Sequence, residues 1–337
     1  SRSEMPQRIT RPTAPPCARK TTVSRPDPAP EGVSAPAAPD RPGGRRKHRM
    51  GDPRRGKPSW LTMKSRTGKD YFELKKLFRE QGLNTICEEA RCPNIGECWN
   101  ARTATFLILG HQCTRRCTFC DVGYAWTGEV DRDEPRRLVD AVQAIGLDHV
   151  VITSVDRDDL DDGGASIFVE TVERLRDQCP DTKIELLVPD FRDKVGALEA
   201  VLASEVDVFA HNLETVVELY PGVRPRSSYR GSLEVLKRAN VHAPRPLVKT
   251  GIMVGLGETG DELDRLFDDV AGCGVDILTV GQYLQPSKKH HRVERFYEPE
   301  EFASIAERGR RAGIAWVESG PFVRSSYHAA EQTEALG

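Results

Sequence analysis

The sequence has no apolar run near the roughly 18 residues that a membrane-spanning helix needs. It also lacks an excess of either charge, because 49 Lys and Arg against 51 Asp and Glu give a formal net charge of −2. A balance this even creates no global field that would attract nucleic acid or anionic lipid. We find no secretory signal segment either. We therefore expect a cytoplasmic protein that binds neither nucleic acid nor a membrane.

Apolar periodicity is missing from the first 55 residues, which are rich in Pro, Arg, Ala and Ser. Such a composition cannot bury enough surface to offset the entropy lost on ordering. We predict a disordered extension over residues 1–55. Many arginines and few acids are also typical of an organellar transit peptide, but proline is too frequent for an amphipathic targeting helix. Another alternative is that Met50 is the true start.

Nine cysteines are present, and six of them fall between residues 87 and 120. In a long chain with ample core, this crowding favours metal ligation in a reducing compartment over disulfides. Cys113, Cys117 and Cys120 have the spacing C-x3-C-x2-C. Three thiolates on one loop can hold three corners of an iron–sulfur cubane and leave the fourth iron open. His111 could instead complete a zinc site, so zinc is an alternative.

Near-continuous apolar runs alternate with helix-like periodic stretches from residue 104 onward. We predict strands over 104–110, 149–153, 183–188, 206–211, 247–255 and 276–281. Apolar strands that alternate with amphipathic helices are typical of parallel βα units. Six such units predict an α/β fold, a partial (β/α)6 barrel of the TIM type. Its chemistry should collect where strands end and loops begin.

The loop CTRRCTFC follows a predicted strand and has Phe119 between its last two cysteines. In these features it resembles the signature of the radical S-adenosylmethionine enzymes. The resemblance implies a [4Fe–4S] cluster on Cys113, Cys117 and Cys120 whose open iron chelates S-adenosylmethionine. It also assigns catalytic roles to these three cysteines, because one electron from the cluster yields a 5′-deoxyadenosyl radical.

Three further cysteines, Cys87, Cys92 and Cys98, have the spacing C-x4-C-x5-C and lie ahead of this loop in the chain. We call them the first cysteine group. The combination closely resembles the lipoyl synthase family. The resemblance implies a second, auxiliary [4Fe–4S] cluster that is sacrificed as sulfur donor. The implied reaction inserts two sulfur atoms at C6 and C8 of an octanoyl chain on a carrier lysine. A structural cluster or a zinc knot is the alternative for this group.

The tetrapeptide RSSY occurs twice, at 226–229 and 324–327. The first copy follows a proline and precedes a predicted helix, so we interpret it as turn and cap chemistry. The second follows the last predicted strand. The resemblance implies that one of its serines ligates the fourth iron of the auxiliary cluster, and we favour Ser326 over Ser325. Arg324 would then stabilise charge or orient the substrate. A polar tail is the alternative.

Polar residues and glycines follow three predicted strands, and the resemblance implies that they contact S-adenosylmethionine. These positions are Thr153, Ser154, Gly163, Gly164, Asn212, Glu214 and Gly255. Gly163 and Gly164 occupy the place of an element that binds the methionine part of the cofactor. Asn212 and Glu214 would hydrogen-bond the ribose hydroxyls, and Gly255 would lie close to the adenine. The alternatives are a solvated acidic loop ended by glycines, and a helix N-cap at Asn212.

The resemblance divides the chain into four parts. They are the extension 1–55, an auxiliary-cluster segment 56–103, a radical S-adenosylmethionine partial barrel 104–320, and an RSSY segment with a tail, 321–337, that covers the barrel mouth. The implied partners are octanoylated lipoyl carrier domains of 2-oxoacid dehydrogenases, the glycine-cleavage H protein, a reductant such as flavodoxin or ferredoxin, and an iron–sulfur carrier. The basic run 288–292 is either a solvated loop or a docking site for an acidic partner. We expect a monomer.

Two other functions compete with this one. A methylthiotransferase also uses two clusters, but it places the auxiliary cysteines differently. A non-enzymatic iron–sulfur or zinc protein would leave the six βα units without a substrate. Only an enzyme of the radical class would form 5′-deoxyadenosine, so detection of that product would exclude the non-enzymatic protein.

Overall fold

The computed structural model describes residues 56–62, 67–100 and 103–336. The predicted disordered extension over 1–55 lies outside the described residues. Within the described parts of the chain, no helix is long and apolar enough to cross a membrane.

An eight-stranded sheet forms the centre of the protein. Its strands, in spatial order, are β1 (Asn84–Thr85), β2 (Thr105–Ile108), β5 (His149–Ser154), β6 (Lys183–Leu187), β7 (Val208–Ala210), β8 (Leu247–Val254), β9 (Ile277–Gln282) and β10 (Trp316–Gly320). All neighbours run parallel except β1, which pairs antiparallel with β2. The sheet is open, and the six strands predicted from apolar runs are all present. The predicted partial barrel is therefore confirmed.

Helices connect the strands and cover the outer face of the sheet. They are α1 (Lys69–Glu80), α2 (Ile86–Glu89), α3 (Ile95–Asn100), α4 (Glu134–Ile145), α5 (Ala165–Gln178), α6 (Ala197–Leu202), α7 (Tyr220–Val223), α8 (Tyr229–Asn240), α9 (Gly260–Gly272), α10 (Pro299–Arg311) and α11 (Ala329–Leu336). The apolar residues of α4, α5, α8 and α9 are mostly buried and belong to the core. A capping box, Thr259 with Glu262, starts α9 and satisfies two backbone N–H groups that a helix end leaves free.

The segment that contains Cys87, Cys92 and Cys98 packs against the start of the sheet. Trp99 of α3 lies 5.2 Å from Tyr71 and 5.4 Å from Phe78 of α1, measured between ring centroids. Phe78 in turn meets Phe106 of β2 at 5.3 Å. These aromatic contacts bury large apolar areas, so they hold α1 and α3 against β2.

The segment after β10 returns to the region that holds the first cysteine group. There the carbonyl of Phe322 accepts a hydrogen bond from the side chain of Asn94 at 2.7 Å. Residues 323–326 then pass along the open edge of the barrel before α11 begins. The first cysteine segment and the second RSSY, which are more than 200 positions apart in sequence, therefore lie side by side.

A buried ion pair crosses the barrel interior. Lys249 of β8 lies 2.9 Å from Glu185 of β6, and His149 of β5 lies 3.5 Å from the same carboxylate. All three side chains are almost completely buried. A buried charge needs an opposite charge nearby, and Lys249 and Glu185 supply this to each other.

Candidate active site

A cavity of about 820 Å³ opens where the parallel strands end. Five of the six clustered cysteines line it: Cys87, Cys92, Cys113, Cys117 and Cys120. The sixth, Cys98, is half-buried beside the others of its group. Sites in barrels of this kind lie at the carboxyl ends of strands, because the loops there converge. The fold therefore brings both cysteine groups to one chamber.

The C-x3-C-x2-C loop lies between two short paired strands, β3 (Gln112–Cys113) and β4 (Gly123–Tyr124). Backbone hydrogen bonds connect the loop to the barrel: the N–H of Thr114 donates to the carbonyl of Asp156, and that of Thr118 to Val223. The three thiols are free and face one cavity. The loop is therefore held in place by backbone bonds on both sides.

Arg115, inside this loop, is surrounded by carboxylates. Its buried guanidinium lies 2.9 Å from Asp158, 2.7 Å from Asp190 and 3.3 Å from Asp156. Burial raises the pKa of Asp190, but hydrogen bonds from Arg115 outweigh burial and lower that pKa to about 2. The network joins the loop to the segments after β5 and β6. Most of the acidic stretch after β5 thus has a structural task.

The thiols of the loop suit a polynuclear iron site. Burial, with the neighbouring Cys117 and Cys113 acting in the same direction, raises the pKa of Cys120 to about 12. Burial raises the pKa of Cys117 to about 11, while Arg224 opposes the shift. Three thiolates that line one dry pocket are costly unless cations compensate them, which is what cluster iron provides. The chemistry of the donor set therefore fits a cluster, although among the described residues the thiols are not gathered into a ready-made metal site.

The first cysteine group has the same character. Burial, with Cys87 and Cys92 acting in the same direction, raises the pKa of Cys98 to about 12. Burial also raises the pKa of Cys87 to about 12, with Cys92 acting in the same direction. Within the chain, the N–H of Cys92 donates to the carbonyl of Cys87 at 3.0 Å. These three thiols thus form a second donor set of the same kind.

The two RSSY copies differ in their surroundings. In the first, Ser228 is the N-cap of α8 and accepts a hydrogen bond from the N–H of Gly231 at 3.1 Å. The cap that the sequence predicts there is confirmed. In the second, Arg324, Ser325 and Ser326 all line the cavity.

Comparison with known proteins identifies the family. A model described as the radical SAM superfamily matches residues 107–270, and one described as the N-terminal domain of lipoyl synthase matches residues 31–92. A lipoyl synthase from Rubrobacter xylanophilus is 52% identical over 281 residues, which cover 83% of this chain and 88% of the relative. A lipoyl synthase from Symbiobacterium thermophilum is 53% identical over 277 residues, which cover 82% of this chain and 87% of the relative. The chain belongs to the lipoyl synthase family.

Membership in the lipoyl synthase family makes the chain an S-adenosylmethionine-dependent, sulfur-inserting enzyme and implies a [4Fe–4S] cluster. The predicted family, function and enzyme class are confirmed. Among solved structures, SuiB of Streptococcus suis bound to S-adenosylmethionine has a TM-score of 0.50 at 14% identity, over 74% of this chain and 60% of SuiB. A likeness at this identity shows the fold alone, and it agrees with a radical SAM partial barrel.

Four of the residues predicted to contact S-adenosylmethionine line the cavity of this lipoyl synthase family member: Thr153, Ser154, Asn212 and Glu214. Thr153 donates to the carbonyl of Leu187 at 2.9 Å, so its hydroxyl already has a partner. The hydroxyl of Ser154 and the side-chain oxygen of Asn212 are buried and have no hydrogen-bond partner among the described residues. Leaving a buried polar atom unpaired is costly, so these two atoms are candidates for a hydrogen bond to a molecule bound in the cavity.

The three predicted glycines lie outside the cavity lining, and protein packing accounts for them. Gly164 has φ +88°, and a Cβ there would lie 2.2 Å from a methyl of Leu109. Gly163 also has a positive φ and faces Phe191. Gly255 has φ +99°, and a Cβ would lie 2.4 Å from the carbonyl of Arg295. Each position needs glycine for its backbone and its close neighbours.

Sequence reasoning missed two arginines at the site. Arg115 has been described; Arg224 is buried, lines the cavity and donates to the carbonyl of Asn212 at 2.8 Å. The sequence held a signal for Arg115, since it lies between two of the clustered cysteines and several aspartates follow two of the strands. Arg224 gave none, because a single arginine after a short helix has no distinguishing pattern.

Proposed function

We propose that the chain inserts two sulfur atoms at C6 and C8 of an octanoyl-lysine on a carrier protein, using both cysteine groups as cluster sites. The single observation behind the proposal is the shared cavity. Hydrogen abstraction and sulfur attack take place at the same carbon, so both centres must reach one bound chain. A chamber of about 820 Å³ lined by thiols of both groups meets that requirement.

Cys113, Cys117 and Cys120 would hold the radical cluster, and the pocket beside them would bind S-adenosylmethionine. When bound, the cluster supplies the electron that cleaves the sulfonium and starts the radical chemistry. Ser154 and Asn212 offer unpaired polar atoms to the cofactor. Glu214 lines the cavity and accepts a hydrogen bond from Nδ2 of Asn212 at 3.1 Å, so its carboxyl oxygens are proposed as hydrogen-bond acceptors for ribose hydroxyls.

Cys87, Cys92 and Cys98 would hold the auxiliary cluster, with Ser326 as the fourth ligand. Three thiols leave one iron without a protein ligand, and Ser326 lines the cavity next to this group. A serine oxygen is a harder ligand than a thiolate, so its bond to iron is more labile. That lability suits a cluster that gives up its sulfur.

Arg324 is proposed to stabilise charge between the two cluster sites. Burial lowers the pKa of its guanidinium, and the negative charges of Cys92 and Glu214 oppose that shift. Its side chain also donates to the carbonyl of Val323 at 2.6 Å, which fixes its direction. A cation placed between a thiolate cluster and the cofactor pocket would balance the negative charge of both.

Ser228→Ala and Ser326→Ala form a matched pair that separates the two RSSY copies. Loss of the α8 cap should cost about 0.5–2 kcal/mol in free energy of unfolding and leave turnover unchanged. Loss of Ser326 should lower formation of the dithiolated product roughly tenfold or more. Loss of its hydrogen bond from Thr105 should cost only about 0.5–1.5 kcal/mol in free energy of unfolding. Chemical unfolding and product mass spectrometry measure the two effects. The opposite pattern would mean that the first copy is the functional one.

Carrier domains are the proposed partners, and exposed cations surround the cavity mouth. Lys57 and Lys289 line the cavity, and a neighbouring recess of about 300 Å³ shares Lys57 and adds Arg292. None of the three has an ion pair with the residues that the structure describes. His290 and His291 of the same run instead bond to the radical loop, through the carbonyls of Cys120 and Thr118. We propose that an acidic face of the carrier docks on these cations.

Charge reversal tests this docking surface. Lys289→Glu with Arg292→Glu should raise KM for a folded octanoyl-carrier domain about tenfold, because rim charges govern association. KM for a short octanoyl-lysyl peptide should change little. Arg310→Glu with Arg311→Glu, at the C-terminal end of α10 and hence at the opposite end of the barrel, is the matched control. Equal effects on carrier and peptide, or from both variants, would contradict the docking surface.

Mass spectrometry of an octanoyl-lysyl carrier peptide tests the proposed function. The peptide is incubated without oxygen with the reconstituted enzyme, a reductant such as reduced flavodoxin, and S-adenosylmethionine. A gain of two sulfurs together with 5′-deoxyadenosine supports the proposal. Formation of 5′-deoxyadenosine with an unchanged peptide would reject the octanoyl-lysine substrate.

A further inference from the structure

Thr105 makes the hydrogen bond that joins the second RSSY to the sheet. It is the first residue of β2 and is buried, and its Oγ1 donates to Oγ of Ser326 at 2.8 Å. Both residues line the cavity, although 221 positions separate them in sequence. Among the described residues, no other hydrogen bond to the hydroxyl of Ser326 is present.

The same threonine lies beside the first cysteine group. Thr105 and Cys87 both line the cavity, and Phe106, the residue after Thr105, pairs with Thr85, two residues before Cys87. The start of β2 thus lies between the proposed serine ligand and a proposed thiolate ligand.

Thr105 is held more firmly than the loop it contacts. It pairs in parallel register with Val151 of β5, and the next residue, Phe106, pairs with Thr85 of β1. A β-branched residue inside a sheet has few side-chain rotamers. Ser326 lies in a turn and could take any of three staggered rotamers. The strand therefore presents its donor in a fixed direction to an acceptor that lies on a turn.

We propose that Thr105 is a positioning residue that holds Oγ of Ser326 in the direction required for iron ligation. The inference rests on the proposed role of Ser326. A serine oxygen binds iron more weakly than a thiolate does, so the ligand depends on being held in place. A hydroxyl donor also stabilises the deprotonated oxygen that a metal prefers, because hydrogen bonds to a charged acceptor are strong. Thr105 itself keeps its proton and does not contact the metal.

The test measures how easily the auxiliary cluster loses its fourth iron. In a full-length variant with Cys113, Cys117 and Cys120 changed to Ala, only the first cysteine group can hold a cluster. Mild oxidation with ferricyanide converts a cluster with a poorly held iron to the [3Fe–4S] form, which electron paramagnetic resonance detects. In this background, Thr105→Val removes the donor at nearly constant volume and should speed iron loss roughly tenfold. Thr105→Ser keeps the hydroxyl and should restore the parent rate.

A double-mutant cycle separates positioning from a general loosening of the fold. If Thr105 acts through Ser326, adding Thr105→Val to Ser326→Ala should cause no further acceleration. Equal acceleration in both backgrounds, or an unchanged rate in Thr105→Val, would overturn the inference. If Ser326→Ala loses iron at the parent rate, Ser326 is not a ligand of the auxiliary cluster. That result would contradict the proposed function rather than the role of Thr105 alone. Thermal unfolding of each variant shows whether Thr105→Val folds. A Thr105→Ser variant that folds but loses iron as fast as Thr105→Val would also contradict the proposal.

Discussion

A Cys117→Ala variant is expected to lose reductive cleavage of S-adenosylmethionine, with 5′-deoxyadenosine formation falling more than about 100-fold. Even a residue that merely supports a metal ligand is worth roughly 10–100-fold, and Cys117 is proposed as a ligand itself. The loop around it is tied to the barrel by backbone bonds and by Arg115, so two remaining thiols cannot rearrange to replace the third.

Chromatographic measurement of 5′-deoxyadenosine after reduction with dithionite gives the result directly. Cys179→Ala is the matched control, because this thiol is free and lies at the end of α5, away from the cavity lining. The control should cleave the cofactor at the parent rate. Near-normal cleavage by Cys117→Ala would mean that the radical cluster is held elsewhere.

A Cys92→Ala variant is expected to show the opposite separation of activities. It should form 5′-deoxyadenosine within about threefold of the parent, because the loop at 113–120 and the residues after β5 and β7 are unchanged. Dithiolated peptide should be absent. Cys92 lines the cavity and lies close to Cys87, Cys98 and Arg324, so its loss removes one corner of the proposed auxiliary cluster.

Paired quantification of 5′-deoxyadenosine and peptide products by mass spectrometry checks this prediction. Iron analysis provides the control, since the variant should retain about half of the parent iron content if one of two clusters remains. Normal thiolation by Cys92→Ala would eliminate the first cysteine group as the sulfur source. Loss of both activities would indicate that the group supports the fold or the cofactor pocket instead.

Much of the barrel could be predicted from local sequence pattern. Each of the six predicted strands is an apolar run whose burial on both faces follows from its own residues. The cap at Ser228 and the cysteine spacings are equally local, because neighbouring residues decide them. The resemblance of the two cysteine groups to the lipoyl synthase family needed no coordinates either.

The glycines show where local reasoning was incomplete. A glycine after a strand is compatible both with close ligand approach and with a positive φ next to packed protein, and composition does not distinguish the two. Contacts do: the space beside Gly164 is filled by Leu109, and that beside Gly255 by Gln282 and Arg295. Such neighbours are set by strand order and packing.

The sequence by itself determined the kinds of ligand and the strands that present them, since thiol spacing and apolar periodicity are properties of adjacent residues. Only the tertiary structure decided which distant groups meet. Arg115 reaches Asp190 of another βα unit, and Ser326 reaches Thr105 across 221 positions. For Arg115 and Asp190 the physical reason is that parallel strands bring their carboxyl ends to one edge whatever their separation in the chain. Thr105 is the first residue of β2, so its contact with Ser326 requires the last segment to reach the start of that strand. Contacts at that edge depend on sheet order and on the path of the last segment.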